Sequence, residues 1–318
     1  APQVEVGVVL EGEPDAAEHL DARLRHVDGA VEAGHRGDVD GEVPLLAVTV
    51  GAGLGAAGAA MQGYLRNPLA DPGLFGIAPG AALGAVLSFS FGLAASGWLL
   101  PILSLAGAGA AMALLALLAG RGGGIALFTL AGLMIASLAG ALTSLVISLA
   151  PNPWALSEIV TWLMGALTDR SWADVMLAAP MTLAGIVVLA RAAPALDALT
   201  LGEDAARSMG VDMEKLLMLL VAGVGLTIGS GVAVAGIIGF VGLMVPHIVR
   251  PLTDRRPSSL IVPSALGGAL LVLVADSVLR MLPLVGELRL GIALSLIGAP
   301  FFLWLLLRLR RGGTLGLT

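Results

Sequence analysis

From residue 45 onward the chain alternates long apolar runs with short polar joints. The runs cover 45–63, 74–95, 98–119, 125–149, 173–192, 214–234, 235–250, 259–281 and 290–308. A helix that crosses a bilayer needs about 20 apolar residues, within a range of roughly 17–25, and most of these runs have that length. None alternates apolar and polar positions as the strands of a membrane barrel must. The pattern predicts an all-α, polytopic transmembrane bundle with about nine spans. The stretch from Leu216 to Val249 is too long for one helix and is dense in glycine, at Gly223, Gly225, Gly229, Gly231, Gly236, Gly239 and Gly242. It is read as two segments joined by a glycine-rich break, which neighbouring protein must shield from lipid.

Residues 1–44 do not share this pattern. They are polar and acidic, show no helical period, and contain no Ser, Thr, Asn, Ile, Lys, Met, Phe, Trp or Tyr. They read either as a loosely folded polar head or as out-of-frame GC-rich coding sequence standing in place of a first span. No secretory signal is legible at the start. The expected organisation is therefore an atypical segment over 1–44 and a transmembrane domain over 45–311, with a cytoplasmic connection at 191–215.

Composition sharpens the class. The chain is 57% hydrophobic and 13% charged, where a soluble domain carries about 25% charged residues. Its 44 glycines suit close helix–helix approach, as at Gly51 and Gly55, where small residues stand four apart. Lys and Arg set the orientation. Arg66, Arg121, Arg191, Arg207, Lys215, Arg250, Arg255, Arg256, Arg308, Arg310 and Arg311 fall on one side, predicted cytoplasmic. Arg170, Arg280 and Arg289 fall on the other.

Candidate chemistry is sparse. There is no cysteine, which excludes disulfides and thiolate metal sites. A phosphate-binding P-loop needs Gly-Lys-Ser/Thr, and the only lysine, Lys215, follows Glu214, so any ATP that drives this chain must be bound by another polypeptide. No zinc-protease H-E-x-x-H motif is present and no catalytic residues are assigned. Asp276 is the one acidic residue well inside a span. With Arg280 at i+4 it reads either as a structural ion pair or as a transport residue. His247, beside Arg250 at a cytoplasmic helix end, reads as a capping or docking residue or as a lone ligand. "LGEDAARSMGV" at 201–211 reads as a short amphipathic helix ended by Gly210, with Glu203, Asp204 and Arg207 toward water and Ala205, Ala206 and Met209 on the other side. "PNPWALSEIVTWL" reads as an interfacial helix on the outer side.

Three stretches together resemble one family. "GYLRNPLADPGLFGIAPGAALGA" (63–85), "GFVGLMVPHIVRPL" (239–252) and "GELRLGIALSLIGAPFFLWLL" (286–306) are similar to FecCD-type permeases, the membrane subunits of type II ABC importers for ferric siderophores, haem and cobalamin. The resemblance implies a homodimer in the bacterial inner membrane, with two ATP-binding cassette subunits below, a periplasmic substrate-binding protein outside, lipid around it and no nucleic acid. ATP and Mg would sit on the partner ATPase, and this chain itself would bind no cofactor or metal and act as no enzyme. Leu201, Gly202, Glu203, Asp204, Arg207, Ser208 and Gly210 match the family's coupling region. Arg66, Asn67, Pro68, Asp71 and Pro72 match the loop at the cytoplasmic face near the pore, where the prolines end one helix and aim the next, and Asn67 and Asp71 can cap exposed backbone. Arg170, Arg280 and Arg289 are the expected outer docking residues. The implied activity is import of an iron chelate, haem or ferric siderophore, by alternating access, through a pore whose small apolar lining the glycine-rich stretches at 51–58, 80–84 and 223–242 would suit. Cobalamin import and ion-coupled secondary transport are the alternatives. The family has ten spans and an Arg-Pro-Arg-like element before the second, and here that position reads "GEVPLL".

Overall fold

The computed structural model describes residues 41–120, 124–150, 152–282 and 288–313, and among them lie eleven α-helices and no strand. The helices are α1 (Glu42–Leu65), α2 (Ile77–Ser90), α3 (Leu99–Ala119), α4 (Gly124–Ser148), α5 (Pro153–Leu163) and α6 (Trp172–Leu199). They continue with α7 (Glu203–Ser208), α8 (Met213–Ala235), α9 (Val241–Val249), α10 (Pro257–Met281) and α11 (Leu290–Gly313). The readings of residues 1–40, and of the turn at 121–123, lie outside the described residues.

Seven of these helices, α1, α3, α4, α6, α8, α10 and α11, are long and apolar enough to cross a membrane. The other two expected spans are shorter. The run at 74–95 yields only the 14 residues of α2, about 21 Å of helix, because a 3-10 turn (Pro72–Phe75) precedes it and Gly92 leaves it in a left-handed conformation. The run at 235–250 yields the 9 residues of α9. α1 starts at Glu42, so the helix takes in residues assigned from sequence to the polar head. Pro44 falls within its first turn, where a missing N–H costs nothing.

Two further expectations are corrected. The connection at 191–215 is not one long loop. α6 continues through Pro194 to Leu199 because Ala192, Leu196 and Leu199 are buried, so the connection is left with α7 and two short joints. The glycine faces at 51–58 and 80–84 do not line a pore either, since they are used in packing within the chain. A β-carbon at Gly51 would strike the Gly268 carbonyl, one at Gly55 the Ser264 carbonyl and one at Gly58 the Gly242 carbonyl. These contacts bring α1 into backbone contact with α10 and α9. Gly80 meets Gly107 in the same way between α2 and α3. Packing of small residues replaces the hydrophobic drive that lipid cannot supply.

Local chemistry explains the remaining ends. Asn152 caps α5 by accepting from the Ala155 amide at 2.9 Å, and Trp154 projects outward while Trp162 is buried, as an interfacial helix requires. Ser171 and Asp174 form a capping box on α6. Asp212 caps α8 through the amides of Glu214 and Lys215.

Candidate functional site

The loop after α1 does not stay at the end of the bundle where that helix finishes. Arg66 ends α1 in a left-handed conformation. Asn67 then accepts from the Leu69 amide at 3.0 Å, closing a turn that holds Pro68. Beyond Ala70 the chain turns back into the bundle. Pro72 packs on Gly242 beside Leu54, Phe75 on Gly132, and Gly76 on Ile135. Leu54 and Ile135 each lie about 16 Å along their helices from the Leu65 and Gly124 ends. The predicted gate loop thus has an exposed start, Arg66 and Asn67, a partly buried turn at Pro68 and Leu69, whose leucine already borders the bundle interior, and a re-entrant half, Asp71–Gly76. The Asp71 carboxylate accepts from the Gly73 amide at 2.7 Å, which caps the 3-10 turn that begins at Pro72. The backbone of Phe240 also donates to it.

Phe240 belongs to the second interruption, Gly236–Phe240, which separates α8 from α9. Here the polypeptide leaves helical geometry at bundle depth. The close approaches of Gly165 to Ile237, Gly236 to Trp162 and Gly291 to Met164 cover its backbone. The two interruptions face a cavity of about 360 Å³. Val50 and Leu54 of α1, Ile228 and Val232 of α8, and Phe302 of α11 line it with the breaks themselves. Asp71 is its one ionisable lining residue. Non-helical backbone at membrane depth is tolerated where protein or a cavity covers it, and paired helix breaks at a cavity are how transporters build a path.

α9 is held near its Arg250 end by a network that sequence reading did not find. Pro246 has no N–H, so the Gly242 carbonyl lacks its helical partner. Gln62 of α1, 3% exposed, supplies the missing donor: its Nε2 donates to the Gly242 and Leu243 carbonyls at 3.4 and 3.2 Å. Arg250 donates to the Gln62 Oε1 at 2.8 Å, which fixes the amide's orientation. This is the observed position of the predicted helix-end residue Arg250. His247 packs edge-to-face on Phe301 at 5.9 Å. A proline within an apolar helix, needing a foreign donor, was the signal for Gln62.

The 201–211 segment forms α7, flanked by Gly202 (φ 107°) and Gly210 (φ 88°). Leu201, Asp204, Arg207 and Ser208 are exposed and Ala206 is buried. Two details differ from expectation. Met209 is 63% exposed, because the helix ends at Ser208 and the residue leaves its apolar side. Glu203 does not face water. It is half-buried, and its carboxylate accepts from the Ile125 amide in the first turn of α4 at 3.2 Å, with Arg207 3.7 Å away.

On the opposite side the three expected docking arginines are half-buried. Arg289 donates to the Thr168 hydroxyl at 3.0 Å. Arg280 donates to Asp276 at 2.7 Å, so the intraspan carboxylate is ion-paired. Burial disfavours the Arg170 charge, whereas Asp174 and Asp169 support it and Arg289 opposes it. Arg170 and Arg289 are therefore within electrostatic reach of each other, with the Asp169 and Asp174 carboxylates beside them. Among the described residues no group of His, Asp and Glu could hold a metal ion.

The chain matches the FecCD transport family over residues 37–308. It is 42% identical to an uncharacterised ABC transporter permease of Bacillus subtilis, YvrB, over 85% of this chain and 77% of that protein. It is 38% identical to the hemin transport permease HmuU of Yersinia pestis, over 84% of this chain and 81% of that protein. Among solved structures, one described as an inward-facing conformation of a metal-chelate type ABC transporter is 32% identical. It superimposes with a TM-score of 0.78 over 84% of this chain and 85% of that one.

Proposed function

The chain belongs to the FecCD transport family and is a multi-pass protein of the bacterial inner membrane, and from that premise we propose that it imports an iron chelate, haem or a ferric siderophore, into the cytoplasm. It works as a homodimer by alternating access, with partner ATPases docked on α7 and a periplasmic binding protein docked near Arg170, Arg280 and Arg289. The observation that carries this reading is the apolar cavity between two helix breaks. A chelate that must pass without being held needs a wall of weak, non-polar contacts. The haem and ferric-chelate expectation leans on the relative that carries hemin.

The wall does not favour ion coupling. Ion-driven carriers place ionisable groups at the bilayer midplane; here Asp276 is paired with Arg280, and the cavity's Asp71 is engaged by the backbone amides of Gly73 and Phe240. With the chemistry of force generation on another subunit, this chain's part is mechanical. Differential nucleotide binding below shifts the balance between inward- and outward-open states. The test is uptake of radiolabelled haem, ferric siderophore and cobalamin into vesicles holding this chain with its ATPase. Uptake of an iron chelate that ceases when the ATPase is inactivated is expected. Uptake sustained by a proton or sodium gradient without the ATPase overturns the reading, and uptake of cobalamin alone overturns the cargo.

A further inference from the structure

Two carboxylates on the cytoplasmic side, six positions apart in sequence, each cap a membrane helix that is not their own. Asp197, near the end of α6, accepts from the Ser258 amide at 2.9 Å and the Ser258 hydroxyl at 2.6 Å, at the start of α10. Glu203, at the start of α7, accepts from Ile125 at the start of α4. Both α4 and α10 point their N-termini at this side. The first four amides of a helix have no partner within it and carry partial positive charge, so a carboxylate is the matching handle.

The two handles differ mechanically. Asp197 sits on the long α6, which packs against α1 and α8, and it makes two bonds to one residue. Glu203 sits on a helix of 6 residues between two glycines with positive φ, so α7 is a short element set off from the long helices on either side. The helix it holds is covered by the rest of the chain on one side only. α4 packs chiefly on α2, α3 and the Pro72–Phe75 turn, and it leaves Leu127, Leu130, Met134, Leu138 and Leu145 exposed along its length. Its cytoplasmic end is fixed to the chain by Phe128, whose ring meets those of Tyr64 and Phe75 at 5.1 and 5.3 Å. Phe75 is part of the re-entrant turn that borders the cavity. A displacement of α7 delivered to α4 through Glu203 therefore reaches the cavity wall within one further contact.

We propose that Glu203 is the positioning residue that transmits displacement of α7 to α4, while Asp197 is a fixed anchor that holds α10 to α6. This rests on the importer reading above, with α7 as the surface the ATPase moves.

The experiment uses the full chain assembled with its ATPase in vesicles, and it reads chelate moved per ATP hydrolysed. Glu203→Ala lowers that ratio about tenfold. Glu203→Gln, which keeps an oxygen acceptor for the Ile125 amide, stays within about threefold of the wild type. Asp197→Ala lowers the melting temperature and leaves the ratio unchanged. Because the chain has no cysteine, spin labels at M209C and L127C report the α7–α4 distance directly. That distance is narrow in the wild type and broadens in Glu203→Ala. An unchanged ratio in Glu203→Ala overturns the proposal, as does an equal loss in Glu203→Ala and Glu203→Gln. If the wild type shows no ATP-driven uptake, the importer reading fails. The link between α7 and α4 is then decided by the spin-label distance: broadening in Glu203→Ala upholds it, and an unchanged distance removes it.

Discussion

Replacing Gln62 by leucine removes a buried donor while keeping the side chain's bulk, and the structure says what that costs. The Gly242 carbonyl has no intrahelical partner because residue 246 is proline, and Gln62 is its replacement at 3.4 Å. Leaving a buried acceptor unpaired costs about 1–3 kcal/mol. Arg250 loses its Oε1 partner as well, but it lies at the helix end and can turn to water, which adds less than about 1 kcal/mol. The sum spans about 1–4 kcal/mol, centred on about 2–3 kcal/mol. At about 2–4 °C per kcal/mol for a chain approaching this size, the melting point in detergent falls by roughly 4–12 °C. The discriminating measurement is a double-mutant cycle with Pro246→Ala. Alanine restores an N–H that can reach the Gly242 carbonyl within α9, so Gln62→Leu in that background costs only about 1 kcal/mol. The expected coupling is about 1–2 kcal/mol, inside the range for directly interacting residues. Two mutations that simply add, within about 0.5 kcal/mol, would falsify the claim that Gln62 stands in for the amide that proline lacks.

Further outcomes follow from the same contacts. Gly55→Leu sets a side chain into the Ser264 carbonyl; overpacking of this kind costs about 1–3 kcal/mol or more. The variant is expected to aggregate on size exclusion, whereas Gly109→Leu, with open space around it, elutes like the parent. Replacing Arg170, Arg280 and Arg289 together by glutamine is expected to weaken capture of the binding protein at least tenfold, about 1.4 kcal/mol; unchanged affinity on an immobilised-protein sensor would exclude these residues from docking. The Ser259 hydroxyl, the Arg256 amide and the Arg256 charge hold the Asp254 carboxyl below its usual range. Its folded-state value is depressed, so its contribution to stability is present above about pH 4 and is lost as pH falls through the folded value. Melting points of Asp254→Asn and the wild type should therefore differ at pH 7 and converge as pH falls through the depressed folded-state value.

Much of the architecture was legible because lipid imposes a simple rule. A segment in hydrocarbon must satisfy its own backbone and present apolar side chains, so run length and continuity located all nine helical segments. Capping is equally local, and Asn67 and Asp71 could be placed from their neighbours. The pairing of Asp276 with Arg280 needed only helical spacing. The identity of the family was readable because three separated motifs recur together, each too weak alone.

The rest depended on partners distant in the chain. Sequence could place glycines on a face, but not decide whether a pore or another helix would occupy it; Gly51, Gly55 and Gly58 went to α10 and α9. It could mark 63–76 as an interruption, but not show that Asp71–Gly76 folds back to Leu54. It could show that Pro246 freed a carbonyl, but not that Gln62, 184 positions earlier, would answer it. Glu203 looked like a solvated charge until the start of α4 came within hydrogen-bond reach. The physical reason is the same each time. The sequence determines which groups cannot remain unsatisfied in a membrane, since that is fixed by local chemistry. Only the tertiary structure decides which distant group satisfies them, because that depends on how closely packed helices bring remote backbones together.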